Sequence, residues 1–388
     1  MKKIFFLFMI FGLFIPSHSF FPFFYGARSL ALGYSSLAFN YDYNAIYVNP
    51  ALLNSLLAAL GGFQYQSSFL DYQDAAGNWA GISAYDLKNF QDLDAETKSL
   101  LLGKIDSIFA AQTGISGFQF SNPGFAGKGY ALAVAKVDAA VIFPQANTIL
   151  AKLPGDITNA DIASLQMRFI GFQYSDYSLA FAFPLGQGLS LGATAHYLKG
   201  RNAEFNASIT ETPFLPGANA KDFLQFAWSG AEKDFSKLNF DVGISADLGQ
   251  YFKAGLMVRN VANPVISTAF SELRLTRRLI GGLALRPDNQ LGIFLDIDVA
   301  KSDLFHNGQD AQPVSLGVEK GLFQNKLFLR AGFLSDLCDK YILGRKANVL
   351  YGLGFGFNSG NFLVDVALGL DHMGYMKNLA ISGFYLIK

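Results

Sequence analysis

The sequence predicts an all-β chain: a 14-stranded antiparallel transmembrane β-barrel with short helices in its loops. Three observations point there. Stretches of about 9–11 residues, the length that crosses a bilayer when tilted, alternate apolar and polar side chains with a period of two. Charged residues make up only 15% of the 388, whereas aromatics also reach 15% and Gly numbers 39, so a soluble chain would need an unusually large core. The chain opens with a secretory pattern, and no later apolar run is long enough for a membrane helix. A bilayer-spanning chain without such helices must close its sheet, because lipid satisfies no free backbone group.

Residues 1–19 read as the signal. Lys2 and Lys3 give the charged start, Ile4–Ile15 is the apolar run, and Ser17-His18-Ser19 offers small residues before a cut. The mature chain is expected to begin near Phe20, and the missing cysteine there argues against a lipoprotein. Residues 20–60 form the next unit. Small and polar residues (Ser35, Ser36, Asn40, Asp42, Asn44) are mixed with single aromatics and do not alternate. Asn49 can cap a helix, Pro50 suits its first position, Ala51–Leu60 are good helix formers, and Gly61 suits a left-handed stop.

Residues 61–388 carry the strands. Candidates fall at 61–70, 114–122, 129–142, 168–175, 177–185, 189–200, 238–249, 251–260, 277–287, 290–300, 313–321, 325–335, 348–358, 361–371 and 378–388. That is one more than fourteen, so one early stretch is expected to be a kink or a lumen segment; 129–142 is ambiguous, since Lys136 and Asp138 share a face with Tyr130, Leu132 and Val134. Residues 86–113 break the pattern. Leu100, Leu101, Ile105, Ile108 and Phe109 recur at helical spacing, which predicts an amphipathic helix.

In Leu238–Leu248, Leu238, Phe240, Val242, Ile244, Ala246 and Leu248 share one face; Asn239, Asp241, Gly243, Ser245 and Asp247 share the other. Asp296 and Asp298 on 290–300, and Asp365 on 361–371, lie on the same kind of polar face. In a soluble sandwich the apolar face points inward; in an outer-membrane barrel it meets lipid and the polar face lines the lumen. Polar faces poor in Lys and rich in Gly, Ser, Asp and Asn favour the barrel, as do turns that alternate between short (Gly186-Gln187-Gly188, Pro287-Asp288-Asn289) and long (Arg201–Lys237, Lys301–Gln312). A secreted soluble β protein is the alternative. On the barrel reading, Asp241, Asp247, Asp296, Asp298 and Asp365 line the lumen.

Two blocks, Gly26-Ala27-Arg28-Ser29-Leu30-Ala31-Leu32-Gly33 and Ala45-Ile46-Tyr47-Val48-Asn49-Pro50-Ala51, resemble the N-terminal hatch of the FadL-like superfamily of bacterial outer-membrane proteins. That group includes long-chain fatty-acid transporters and the PorV-type and TraF-like families. Leu189–Gly200, Gly255–Pro264 and Val314–Asp336 (a GxE strand, then LFLRAGF) look like their late strands; the insertions 86–113 and 143–167 fit least well. The resemblance implies a segment that plugs a 14-stranded lumen, with Gly26, Ala27 and Arg28 at one end and Asn49, Pro50 and Ala51 shaping the other. Arg28 would anchor the plug to lumen carboxylates, or make a static ion pair. It further implies an outer-membrane protein, in contact with lipid, for passive uptake of hydrophobic compounds such as long-chain fatty acids. The alternative is a scaffold of the PorV or TraF-like kind, serving a secretion or conjugation apparatus through an envelope protein partner.

Other chemistry is absent from the pattern. Thirty basic and thirty acidic residues leave no electrostatic case for nucleic acid. Cys338 is the only cysteine, so there is no intramolecular disulfide or Cys-based metal site. His18, His196, His306 and His372 have no metal spacing and read as unrelated polar residues. Gly352-Leu353-Gly354-Phe355-Gly356 lacks the following helix of a phosphate loop and reads as barrel glycine. No catalytic residue, metal or cofactor is expected, and no enzyme activity.

Overall fold

The computed structural model describes residues 26–388 except 41, 57–58, 71–81, 83–86, 111–113, 145–155, 211–227, 229, 304–309, 339–348, 371–375 and 388. The expected signal and the start of the mature chain lie outside the described residues. Eighteen strands follow in order: β1 (Ala59–Leu70), β2 (Gly114–Gly127), β3 (Tyr130–Pro144), β4 (Gln166–Gly186), β5 (Leu189–Ser208), β6 (Ala231–Asp247), β7 (Phe252–Arg259), β8 (Val265–Ser267), β9 (Glu272–Arg274), β10 (Arg278–Leu285), β11 (Leu291–Asp298), β12 (Ser302–Asp303), β13 (Asp310–Ala311), β14 (Pro313–Leu322), β15 (Leu327–Asp336), β16 (Leu350–Asn358), β17 (Phe362–Leu370) and β18 (Met376–Ile387). Fourteen form one closed antiparallel barrel, in which β1 pairs with both β2 and β18; β8–β9 and β12–β13 are small hairpins in its loops.

The count is fourteen for a different reason than the sequence suggested. Stretches 168–175 and 177–185 are one strand, β4, of 21 residues, and 129–142 is the regular barrel strand β3. Both ends of the expected loop 201–237 are strand, because β5 runs to Ser208 and β6 starts at Ala231. The helix expected over 51–60 is a 3-10 turn, Pro50–Ser55; Gly61 is a strand residue paired with Tyr385. Pairing along β1 outweighs helix propensity there. The helix at 86–113 divides into a 3-10 turn, Leu87–Asp92, and a helix, Ala95–Ala110. Leu101 and Ile105 are buried as expected, but Leu100 is 51% exposed, and the side chains of Ile108 and Phe109 lie outside the described residues.

Polarity along the longest strands inverts once. In the lower half of β4, Leu179, Phe181 and Phe183 face outward and are exposed, while Ser178 on β4, Thr194 and His196 on β5, and Asn239 and Asp241 on β6 face inward and are buried. Further along the same strands Lys136, Gln173, Lys199, Arg201 and Asp234 are exposed outside, and Phe172, Tyr174, Leu198 and Phe235 are buried inside. The first pattern is that of a wall in lipid, the second that of a wall in water. The apolar outer band on β4, Tyr177–Leu185, has the length a tilted strand needs to cross a bilayer. Phe181→Lys is therefore expected to lower stability in lipid vesicles by about 2–4 kcal/mol, and Leu185→Lys near the turn by about 0–1 kcal/mol. Denaturant titration of the refolded barrel checks this; equal effects at the two sites would contradict it.

The turns at one end are short: Gly186–Gly188, Leu248–Tyr251 and Arg286–Gln290 join strands there, at the same end as Ala59 and Ile387. In the last of these, Asp288 Oδ1 accepts from the backbone N–H of Gln290 and Leu291, both at 2.6 Å, and these bonds hold its carboxyl below the usual range. The other end carries the long connections. Two of them dock on each other there, through the bond from Gln91 N–H to Asn159 Oδ1 at 2.8 Å.

Candidate functional site

The segment Gly26–Leu56 lies inside the barrel. It touches strands from β1 around to β18, and nearly all its described side chains are buried. Helix Gly26–Ala31 is stopped by Gly33 at φ +62, and a Cβ there would run into the backbone of Phe333. A second short helix, Ala45–Val48, leads into the Pro50–Ser55 turn.

Asn49 closes that turn as the sequence suggests: its Oδ1 accepts from Ala51 N–H at 3.1 Å, with Pro50 at the first position. Its Nδ2 also donates to Leu37 O and to Ile244 O on β6, each at 3.1 Å. One amide side chain thus ties the segment to itself and to the wall. At the other end Ala27 N–H donates to Ser382 Oγ at 3.1 Å. Arg28 is fully buried beside the stacked pair Phe39 and Phe294, its guanidinium 5.8 and 5.3 Å from their ring centroids, which are 6.2 Å apart. Its Nε donates to Glu319 Oε2 at 3.0 Å, and its Nη1 to Phe39 O at 3.2 Å.

Glu319 is the partner that sequence reasoning missed. Arg330 Nε meets the same Oε2 at 2.7 Å, and Arg330 Nη1 reaches Asp365 Oδ1 at 2.5 Å. Arg28, Glu319, Arg330 and Asp365 therefore form one chain of charge with less than a tenth of any side chain exposed. The signal was present: Glu319 lies in the GxE strand and Arg330 in LFLRAGF, both on the inward parity of their strands.

The other predicted carboxylates divide. Asp296 Oδ2 accepts the backbone N–H of Ser36 and Leu37, both at 2.8 Å, so it grips the segment itself. Asp298 makes a two-point pair with Arg278, at 2.8 Å for each bond. Asp241 Oδ1 accepts from Asn260 N–H at 2.8 Å. Asp247, on the inward parity of Asp241, sits half exposed at the short-turn mouth of the barrel and pairs at 2.6 Å with Lys253, whose Nζ lies 5.7 Å over the ring of Phe39.

The inner wall yields space by omitting side chains. Gly317, Gly332, Gly352 and Gly369 stand opposite one another across β14, β15, β16 and β17. A Cβ on Gly317 would come within 2.6 Å of Leu32 O, and one on Gly332 or Gly352 would overlap the backbone at Leu32 and Leu30. On the far side Gly192 and Gly243, also opposite each other, lie against Ala51 and Asn49. Gly352 and Gly354, set aside as barrel glycine, belong to this bed.

Above the segment stands a second polar group. His196 Nδ1 lies 3.0 Å from Asp176 Oδ2 and 2.9 Å from Ser178 Oγ, with Nε2 3.5 Å from Asp241 Oδ2, and Tyr47 stacks on the ring at 6.3 Å. So His196 is no scattered polar residue; its partners come from the two flanking strands and the inner segment. The arrangement is not a nucleophile triad, because Ser178 and Asp176 share one ring nitrogen and Ser178 donates to Asp176 at 2.8 Å. A cavity of about 70 Å³ adjoins Tyr47, Tyr174, His196, Asn239 and Arg259, and another of about 40 Å³ lies near Tyr34, Val48 and Arg278. Either holds only a few water-sized molecules. Beyond the larger one the inner wall turns apolar, with Ile170, Phe172, Tyr174, Leu198 and Phe235 packed under Ile266 and Leu273 of the β8–β9 hairpin.

Fold and site together define a closed β-barrel with residues 26–56 packed against its inner wall. The chain belongs to the family described as F plasmid transfer operon, TraF, protein, which matches residues 87–298. That match spans nearly all of the two insertions that fitted the sequence resemblance least. Solved structures share the fold across their whole length. The CymD monoaromatic hydrocarbon channel has a TM-score of 0.53 at 12% identity, covering 93% of this chain and 97% of its own. A Pseudomonas aeruginosa FadL homologue gives 0.53 at 11%, covering 96% and 99%. A deltaS2 mutant of the TodX monoaromatic hydrocarbon channel gives 0.51 at 13%, covering 95% and 100%. No curated protein matches the sequence.

Proposed function

We propose that this chain is a bacterial outer-membrane barrel that takes up hydrophobic compounds through a lumen kept shut by its N-terminal hatch. Residues 1–19 are its export signal, 20–60 the hatch and 61–388 the barrel. The observation that carries the reading is the apolar inner wall of Phe172, Tyr174, Leu198 and Phe235, which ends at the cavity over Tyr47 of the hatch. A greasy molecule entering from the long-loop end meets that wall first and the hatch second. CymD and TodX, named as monoaromatic hydrocarbon channels, support small aromatic compounds as cargo; long-chain fatty acids are the other class to try. In the hatch, Gly26, Ala27 and Arg28 form one fastening and Asn49, Pro50 and Ala51 the other, with Asp296, Asp298, Asp365 and Asp241 as lumen carboxylates. Uptake of labelled toluene or oleate by cells should fall on deletion of the gene and return with the intact chain. Unchanged uptake of both would remove the reading.

A second reading has its own observation. The lower lumen is filled with paired charge, Arg28–Glu319–Arg330–Asp365 and Arg278–Asp298, and its cavities are small. That suits a static scaffold for a secretion or conjugation partner. Recovery of one stoichiometric envelope protein with the purified barrel, without saturable binding of toluene or oleate, would favour it.

A further inference from the structure

We propose that the outer wall of β3–β5 binds the phosphate of an outer-leaflet lipid headgroup, through Lys136 and Lys199 on either side of Ser175. This rests on the outer-membrane reading above. The strand register builds the site in rows. Tyr177 and Tyr197 stand opposite each other, their ring centroids 6.2 Å apart, at the upper edge of the apolar band. The next outward row is Lys136, Ser175, Lys199 and Ser236, each opposite the next across β3, β4, β5 and β6. Two residues along a strand advance it by roughly 7 Å, and two strand spacings separate the lysines by about 10 Å. The row thus sits just outside the hydrocarbon edge, where headgroup phosphates lie, and aromatic residues mark that edge.

Both lysines are exposed, and neither makes an ion pair with a described residue. The cation one row further out is already engaged: Arg201 pairs with Glu232 at 2.9 Å and lies 4.9 Å over the ring of Trp228. Asp138 and Asp234 share that outer row, away from the membrane, with Asp234 opposite Arg201. An open groove of about 950 Å³ follows this wall, lined by Tyr177, Lys136, Ser175, Lys199 and Arg201. It offers an aromatic floor at the acyl edge and two ammonium groups and a hydroxyl at phosphate height, while Arg201 further out is taken up by Glu232 and lies among Asp138 and Asp234. Elsewhere on the wall the outward faces of β16 and β17 carry only apolar residues: Tyr351, Leu353, Phe355 and Phe357, then Phe362, Val364, Val366, Leu368 and Leu370. Those two strands offer no cation to a headgroup.

The test uses the full-length chain in nanodiscs of phosphatidylcholine doped with diphosphoryl lipid A. Native mass spectrometry counts retained lipid A. The wild type should retain it, and Lys136→Gln/Lys199→Gln should weaken retention by about thirtyfold. Removing the lipid's phosphates should weaken it comparably. Lys320→Gln, an outward lysine near the other rim, should change nothing. Heat-modifiable gel mobility establishes that each variant is folded. Equal retention by the double variant, or an equal loss with Lys320→Gln, overturns the lysine site while leaving the barrel in its membrane. A wild-type chain that does not insert into bilayers overturns the outer-membrane reading, and the proposal with it.

Discussion

Replacing Glu319 with Gln is expected to loosen the N-terminal segment and cost the protein about 3–5 kcal/mol, the usual penalty for breaking a buried ion pair from one side. The carboxylate is shared by Arg28 at 3.0 Å and Arg330 at 2.7 Å, and all three side chains are at most 5% exposed. An amide leaves two guanidinium groups enclosed with Asp365 as the one remaining carboxylate of the chain. The cost falls on the segment first, because Arg28 loses its hold while Arg330 keeps Asp365. Arg28→Met combined with Glu319→Gln should cost less than the sum of the singles, since the stranded cation is gone. Midpoints of heat-modifiable gel mobility for the singles and the double check this. Additive losses would mean that Arg28 and Glu319 do not act as a unit.

Filling the glycine bed is expected to have the larger consequence for permeability. Gly332→Leu or Gly352→Leu puts a side chain where the backbone of Leu32 or Leu30 now lies, and backbone cannot swing aside as a side-chain tip can. The helix Gly26–Ala31 must leave the wall. The strand ladder survives, because its bonds run between backbones and the new side chain points into the lumen. Planar-bilayer recordings should be silent for the wild type and show openings for the variants, since a barrel of this size without its filling holds a water passage. The matched outward change, Leu353→Ala, should stay closed. Silence from both glycine variants, with unchanged thermal stability, would mean that the segment does not block the lumen.

Much of this was legible beforehand where the physics is local. Alternation along Leu238–Leu248 marked the two faces, and the exposed Phe240 and buried Asp241 occupy the sides the barrel reading assigned. Asn49-Pro50-Ala51 marked a capped turn, and the cap is there. What failed was long-range. Arg28 and Glu319 are 291 positions apart, and nothing in either neighbourhood names the other. His196 needed Asp176 and Asp241 from two flanking strands to become more than a polar residue in an alternating stretch. Ala51–Leu60 has helix propensity, but Ala59 and Leu60 are claimed by pairing with Ile387 and Leu386 at the far end of the chain. Residue 176, left between the candidate strands 168–175 and 177–185, is Asp176, a buried inward carboxylate in an unbroken strand.

Everything depends on which side of the strands touches lipid. Spin labels at single cysteines along 178–183 of β4, with Cys338 replaced by Ser, measure that directly by their access to oxygen and to a water-soluble nickel chelate. The protein in bilayers should give a period of two: positions 179, 181 and 183 open to oxygen and closed to nickel, and 178, 180 and 182 shielded from both. Nickel reaching 179, 181 and 183 as freely as solvent would mean that Leu179, Phe181 and Phe183 face water, and the barrel would have no membrane around it.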